Sequence, residues 1–180
     1  NPSVSTDGKT VYSGCNDKKV YALDSRDGTK KWEYLTNGTV FVHAHDETAG
    51  TIYAGSADNH VYALDDSTGE LKWKYNAKES IQICLAVGSD GTVYAGTMEG
   101  SFLALDGKQG TLKWSFSTVG RTWMPAIASD GTIYLGSDGL KLHALDGETG
   151  VIKWEFPLES QSRGISIGPD GTVYVTTWGS

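Results

Sequence analysis

Four-stranded antiparallel units, repeated along an all-β chain, are what this sequence predicts, and three observations carry the prediction. An eleven-residue stretch recurs at Ala22 to Trp32, Ala63 to Trp73, Ala104 to Trp114 and Ala144 to Trp154, so its tryptophans stand 41, 41 and 40 residues apart, a period of repeat architectures. A short β-branched and aromatic run precedes each copy, as Thr10-Val11-Tyr12, Thr51-Ile52-Tyr53, Thr92-Val93-Tyr94 and Thr132-Ile133-Tyr134, and returns once more as Thr172-Val173-Tyr174. No segment carries a helical apolar period, and Gly or Asp punctuates the chain at short, regular intervals, as in an all-β meander.

The elements follow in order. Pro2 to Ser5 reads as a strand A, Asp7-Gly8 as its turn, and Thr10 to Gly14 as a strand B. Strand C ends in Ala22-Leu23-Asp24, Gly28 makes the next turn, and strand D carries Lys31-Trp32. The pattern divides a single domain, 1–180, into repeats at roughly 1–38, 39–79, 80–120 and 121–160, with a half repeat at 161–180. Four-stranded units of about 40 residues indicate a β-propeller, each unit a blade. The fifth A (Gly164 to Gly168) and B (Thr172 to Thr176) have no C or D after them, giving about four and a half blades. Such a chain is expected not to close a conventional ring alone, but to be part of a larger propeller or an arc that self-associates through its end blades. Trp32, Trp73, Trp114 and Trp154 are assigned a structural role, each ring covering the next blade with its indole N–H on a backbone acceptor. Asp24, Asp65, Asp106 and Asp146 are expected to accept backbone N–H bonds in the C–D turns.

Composition narrows the function classes. With 38% apolar and 21% charged residues the chain can build a core, and 15 Lys and Arg against 22 Asp and Glu give a net charge of −7. That balance argues against a nucleic-acid partner. No apolar run approaches the roughly 18 residues of a membrane helix, so no membrane span is expected. The opening Asn1-Pro2 reads either as the product of leader removal or as an excerpt. Cys15 and Cys84 lie in different repeats, outside any Cys-x-x-Cys arrangement, and read as buried free thiols.

Ala63, Asp65, Thr68, Gly69 and Trp73, and again Ala144, Asp146, Thr149, Gly150 and Trp154, form a pattern that resembles the tryptophan-docking motif of the quinoprotein-like propellers, the PQQ-repeat family. Asp27 and Gln109 replace the threonine in the other two copies. The resemblance covers essentially the whole chain and implies the propeller fold; the motif is shared by dehydrogenases and scaffold members alike. The family's dehydrogenases hold pyrroloquinoline quinone between a tryptophan and a disulfide of adjacent cysteines, beside a calcium ion. Cys15 and Cys84 are 69 residues apart, so a dehydrogenase fragment is the least supported reading, and no cofactor is expected. No hydrolase, phosphate-loop or zinc motif supplies other chemistry, so the chain is read as no enzyme. The family's non-catalytic members are secreted, periplasmic or cell-surface proteins that bind other proteins. The resemblance therefore implies a protein-interaction or scaffold module with a protein partner and an extracytoplasmic location. The alternative is a binder of small molecules or carbohydrates.

A blade of this topology puts its A–B and C–D turns on one face and its B–C and D–A loops on the other. The first face repeats one turn chemistry, whereas the D–A segments differ from blade to blade and are released from the template. The candidates for ligand or partner binding are therefore Arg121, Trp123 and Arg163, with Phe41 and Gln82 as lesser members. Guanidinium groups beside an aromatic ring hold carboxylates or stack on flat ligands. Met98 and Trp178 occupy the equivalent B–C loop position in different blades, and Trp178 is expected to cover a missing neighbour. His43 and His45 form a His-x-His pair, a weak candidate for metal binding because a third ligand is not evident. His60 and His143 read as solvent-edge residues of strand C.

Overall fold

The computed structural model describes residues 2–82 and 84–178, with the side chains of Val42 and His43 outside that description. The described residues form strands and turns without a helix. Four sheets have four strands each, paired in simple meander order, and a fifth has two. The first blade holds β1 (Ser3–Val4), β2 (Thr10–Gly14), β3 (Lys19–Asp24) and β4 (Lys30–Leu35). The second holds β5 (Val40–Asp46), β6 (Thr51–Ser56), β7 (His60–Asp65) and β8 (Leu71–Asn76). The third holds β9 (Cys84–Val87), β10 (Thr92–Gly96), β11 (Ser101–Asp106) and β12 (Leu112–Ser117). The fourth holds β13 (Ala126–Ile127), β14 (Thr132–Gly136), β15 (Lys141–Asp146) and β16 (Ile152–Pro157). The last sheet pairs β17 (Ser162–Ile167) with β18 (Val173–Thr177) alone. The chain is a β-propeller in architecture, as its repeats predict.

The recurring stretch builds each outer hairpin the same way. Ala22 faces Trp32, Ala63 faces Trp73, Ala104 faces Trp114 and Ala144 faces Trp154, and the register shifts by one residue immediately after each alanine. The small side chain leaves room for the indole opposite, and the bulge adds twist that swings the hairpin tip toward the next blade. Buried Ile52, Leu64, Leu105, Ile133 and Leu145 fill the sheets between these hairpins.

The blades are joined by one device, used three times. Trp32 Nε1 donates to the carbonyl of Asp66 at 2.9 Å, Trp73 Nε1 to that of Gly107 at 2.8 Å, and Trp114 Nε1 to that of Gly147 at 2.9 Å. The same three carbonyls accept the hydroxyls of Tyr12, Tyr53 and Tyr94 at 3.2, 3.0 and 3.3 Å. Desolvation pushes each of those phenols up to about 12, so they stay protonated donors at neutral pH. Below each indole lies a turn glycine of the following blade with positive φ, Gly69, Gly110 or Gly150. A Cβ at those positions would stand 2.6 to 2.7 Å from ring carbons, so only glycine admits the tryptophan.

The fourth tryptophan corrects the expectation that all four are equivalent. Trp32 and Trp114 are buried and Trp73 is half-buried against the next blade, but Trp154 is 43% exposed. Its joint requires a C–D turn, and β17–β18 supply only an A–B pair. Its partner ring Tyr134 is in place, with centroids 5.7 Å apart, as for Tyr53 and Trp73. At the other end Gly28 adopts the same φ of 74° with nothing within 4 Å of where a Cβ would stand, a socket without a ring.

Cys15 and Cys84 are both free; Cys84 is fully buried, and Cys15 is half-buried rather than buried as expected. Burial raises the Cys84 thiol to about 12.

Two outcomes check this packing. In urea unfolding, Trp114→Ala should cost about 3–5 kcal/mol, whereas Trp154→Ala should cost no more than about 1 kcal/mol; equal losses would show that the joint is not what holds these rings. Thiol titration of the native protein should find Cys15 alone reactive, with Cys84 appearing only after denaturation.

Candidate functional site

The two faces of the arc differ as the hairpin geometry requires. On the turn face, Asp65 Oδ1 accepts the backbone N–H groups of Ser67 and Thr68, and Asp146 Oδ1 those of Glu148 and Thr149. The Ser67 hydroxyl on Asp65 and the Thr149 hydroxyl on Asp146, with these backbone bonds, hold both carboxyls below the usual carboxylate range. Clefts open between neighbouring turns on this face; one, about 740 Å³, is lined by His45, Asp46, Glu47, Val87, Asp90 and Lys108. Its acids are committed: Asp46 Oδ1 accepts Ala49 N–H at 3.0 Å, and Asp90 accepts both the N–H and the hydroxyl of Thr92.

The loop face is built from the entry into each strand A. Val40, Ile81, Thr122 and Ser162 stand at equivalent positions and are buried in every blade. Their backbones tie back to the blade before, with Val40, Ile81 and Thr122 donating N–H to the carbonyls of Cys15, Ser56 and Thr97. A Cβ added at Gly14, Gly96 or Gly136 would strike Val40, Thr122 or Ser162, so glycine at the end of strand B is what lets the next blade enter so close. The residue after each plug is Phe41, Gln82, Trp123 or Arg163, four of the five singled out from the sequence. Phe41 and Arg163 are the extra residues of bulges, where the register skips from Val40 to Val42 and from Ser162 to Gly164. A bulge re-aims a side chain out of the ladder, here toward the loop face.

Three of these candidates meet. The Arg163 guanidinium carbon lies 4.1 Å from the ring centroid of Trp123 and 4.4 Å from that of Trp178, and Arg121 approaches the Trp123 ring at 5.1 Å. Asp138, which the sequence reading did not single out, holds the group together. Its Oδ2 accepts Arg121 Nε at 2.9 Å and its Oδ1 accepts Trp123 Nε1 at 3.1 Å. The signal was available: Asp138 stands at the B–C loop position where Met98 and Trp178 fall in other blades. Trp178 is 59% exposed and packs on Arg163, a different use from the cover expected of it. Phe41 is exposed on the second blade, and Gln82 donates to Ser80 Oγ at 2.8 Å on the third; no described contact joins either to the cluster.

The histidines divide. His45 Nε2 lies 3.0 Å from Asp66 Oδ2 and its ring packs on Tyr12, while the His43 side chain falls outside the described residues. Among the described residues no group of three potential ligands could hold a metal ion. His60 Nδ1 sits 2.8 Å from the Asp58 carbonyl at the strand edge, as expected. His143 does not: it is 6% exposed, in the register position Leu103 occupies one blade earlier, edge-on to Phe116. Burial lowers its pKa below 6.5, against the opposing pull of Glu155 Oε1 at 3.0 Å.

Comparison with known proteins places these features in a wider group. The family model described as outer membrane protein assembly factor BamB matches residues 37–165 and 117–180. A comparison with curated proteins finds no match. Among solved structures, BamB from Moraxella catarrhalis superposes with a TM-score of 0.72 at 18% identity, over 98% of this chain and 57% of that one. A chain of a mitotic checkpoint complex gives 0.86 at 16% identity, over 98% and 56%. The computationally designed Ika8 protein gives 0.81 at 17% identity, over 98% and 57%. The chain thus spans little more than half the length of each, and at these identities the likeness is one of fold.

The burial of His143 predicts a pH dependence of stability in this region. A base whose folded pKa is depressed binds fewer protons in the native state, so stability should rise with pH from the folded pKa up to 6.5 and level off above it. His143→Leu should flatten that rise in denaturation midpoints measured against pH, with Glu155 and Lys141 left in place. An unchanged slope would assign the dependence elsewhere.

Proposed function

This chain belongs to the family of the outer membrane protein assembly factor BamB, and we propose that it acts as a non-catalytic propeller, a protein-interaction or scaffold module that meets its partner through the loop face. The observation that carries this reading is the Arg121, Trp123, Arg163 and Trp178 cluster. It concentrates aromatic and guanidinium groups, the residues that dominate binding hot spots, on the one face whose loops depart from the repeat. Phe41 and Gln82 extend the surface across the second and third blades. The turn face is spent on holding blades together. An extracytoplasmic location agrees with a family whose description names outer membrane assembly, and among the described residues no helix is long and apolar enough to cross a membrane.

A second surface belongs to the same reading. Trp154 and Phe156 on β16 and Tyr174 on β18 expose 43%, 57% and 57% of their area, apolar surface that supports association through the end blades.

A photo-crosslinking amino acid at Phe41 or Gln82 should trap a discrete protein adduct in cell-envelope extract, and Trp123→Ala should diminish it. The same probe at Lys108 or Glu148, on the turn face, should not. Adducts from the turn face alone would overturn the assignment of faces. A saturable thermal shift with sugars, lost in Trp123→Ala and unaccompanied by any protein adduct, would favour the small-ligand alternative.

A further inference from the structure

Arg163 is the unusual member of the cluster. Its Nε is buried without a hydrogen-bond partner, and among the described residues no carboxylate pairs with its guanidinium. In a chain with 22 acidic residues and a net charge of −7 this is a pointed omission. The neighbouring Arg121 has Asp138, and that carboxylate is used up, one oxygen on Arg121 and the other on Trp123 Nε1. With Nε enclosed by protein, an incoming acceptor meets the terminal Nη1 and Nη2 groups, which are not among the buried unpartnered atoms. The two indoles limit where an acceptor can stand: both ring centroids lie within 4.4 Å of the guanidinium carbon, which leaves the edge of the fork for an acceptor to approach.

Resting on the interaction reading above, we propose that Arg163 is the receptor for a carboxylate, presented by a Glu or Asp side chain of the protein partner. A carboxylate is planar and matches the guanidinium fork with two parallel N–H···O bonds, entering edge-on where the rings leave space. Arg121, Asp138 and Arg163 sum to a single positive charge, which one carboxylate neutralises, whereas a phosphate dianion would leave the cluster with a net negative charge. A sugar hydroxyl would leave the charge uncompensated. Trp178 is 59% exposed and Trp123 half-buried, so the site is an open slot rather than an enclosed cavity, suited to a side chain projecting from a large partner.

The test follows the indole N–H resonances of the nitrogen-15-labelled protein, titrated with a short capped peptide of alternating glutamate and valine. Trp123 and Trp178 should shift saturably, while Trp32, Trp73 and Trp114 stay fixed and report that the blades remain joined. The glutamine counterpart of the peptide should produce no such shift. Arg163→Gln should weaken binding about tenfold or more, and Arg163→Lys should not restore it, because an ammonium lacks the planar fork. Trp178→Ala, which removes one exposed wall without touching a joint, should weaken it too. Equal response to the glutamine peptide, undiminished binding by Arg163→Gln, or tighter binding of inorganic phosphate would each overturn the proposal. Loop-face crosslinks without a response to the glutamate peptide would remove the carboxylate site and leave the interaction reading standing. A peptide response without crosslinks would do the reverse.

Discussion

A single carbonyl per blade organises this protein. The backbone oxygens of Asp66, Gly107 and Gly147 each take two donors from the preceding blade, an indole N–H and a phenol. The arrangement needs a tryptophan long enough to reach across, a turn glycine that admits the ring, and an alanine opposite the indole. Those are the positions the chain repeats. Burying two aromatic rings with their polar atoms satisfied gives apolar contact without the penalty of orphaned donors, which is why three such joints can carry an arc of flat sheets.

The joints also explain why one face varies and the other does not. Turns that must present a carbonyl, a positive-φ glycine and a capping aspartate have no freedom left for recognition. On the loop face the buried plug residues Val40, Ile81, Thr122 and Ser162 recur from blade to blade. The residue beside each plug is free to differ, and it does, as phenylalanine, glutamine, tryptophan and arginine. Recognition is thereby placed next to rigid packing, with side chains held on bulges rather than on long mobile loops.

The fold was legible in the sequence because its rules are periodic: strand order, turn positions and the docking role of Trp32, Trp73 and Trp114 all follow from spacing. Trp154 was misjudged in degree: it is 43% exposed beside a sheet of two strands, β17 and β18. His143 was misread because its polarity was weighed above its register, when the Leu103 alignment placed it inside. For the cluster, Arg121, Trp123 and Arg163 were identifiable as departures from the template. Asp138 carried the weaker mark of its B–C loop position, where an aspartate has an ordinary turn role, and three-dimensional proximity shows it holding an arginine and an indole together. The bulges that aim Phe41 and Arg163 leave no mark in a single sequence.

Every joint runs the same way, tryptophan from the earlier blade, carbonyl and glycine from the later one. The arc therefore has a grammar in which each unit is completed by its successor. A lesion in a turn is not felt where it is written: a bulky residue at Gly110 leaves its own blade's Trp114 seated and evicts Trp73 from the blade before. Mutational damage in this protein travels upstream, against the direction of synthesis, and the blade that looks injured is the neighbour of the one that carries the change.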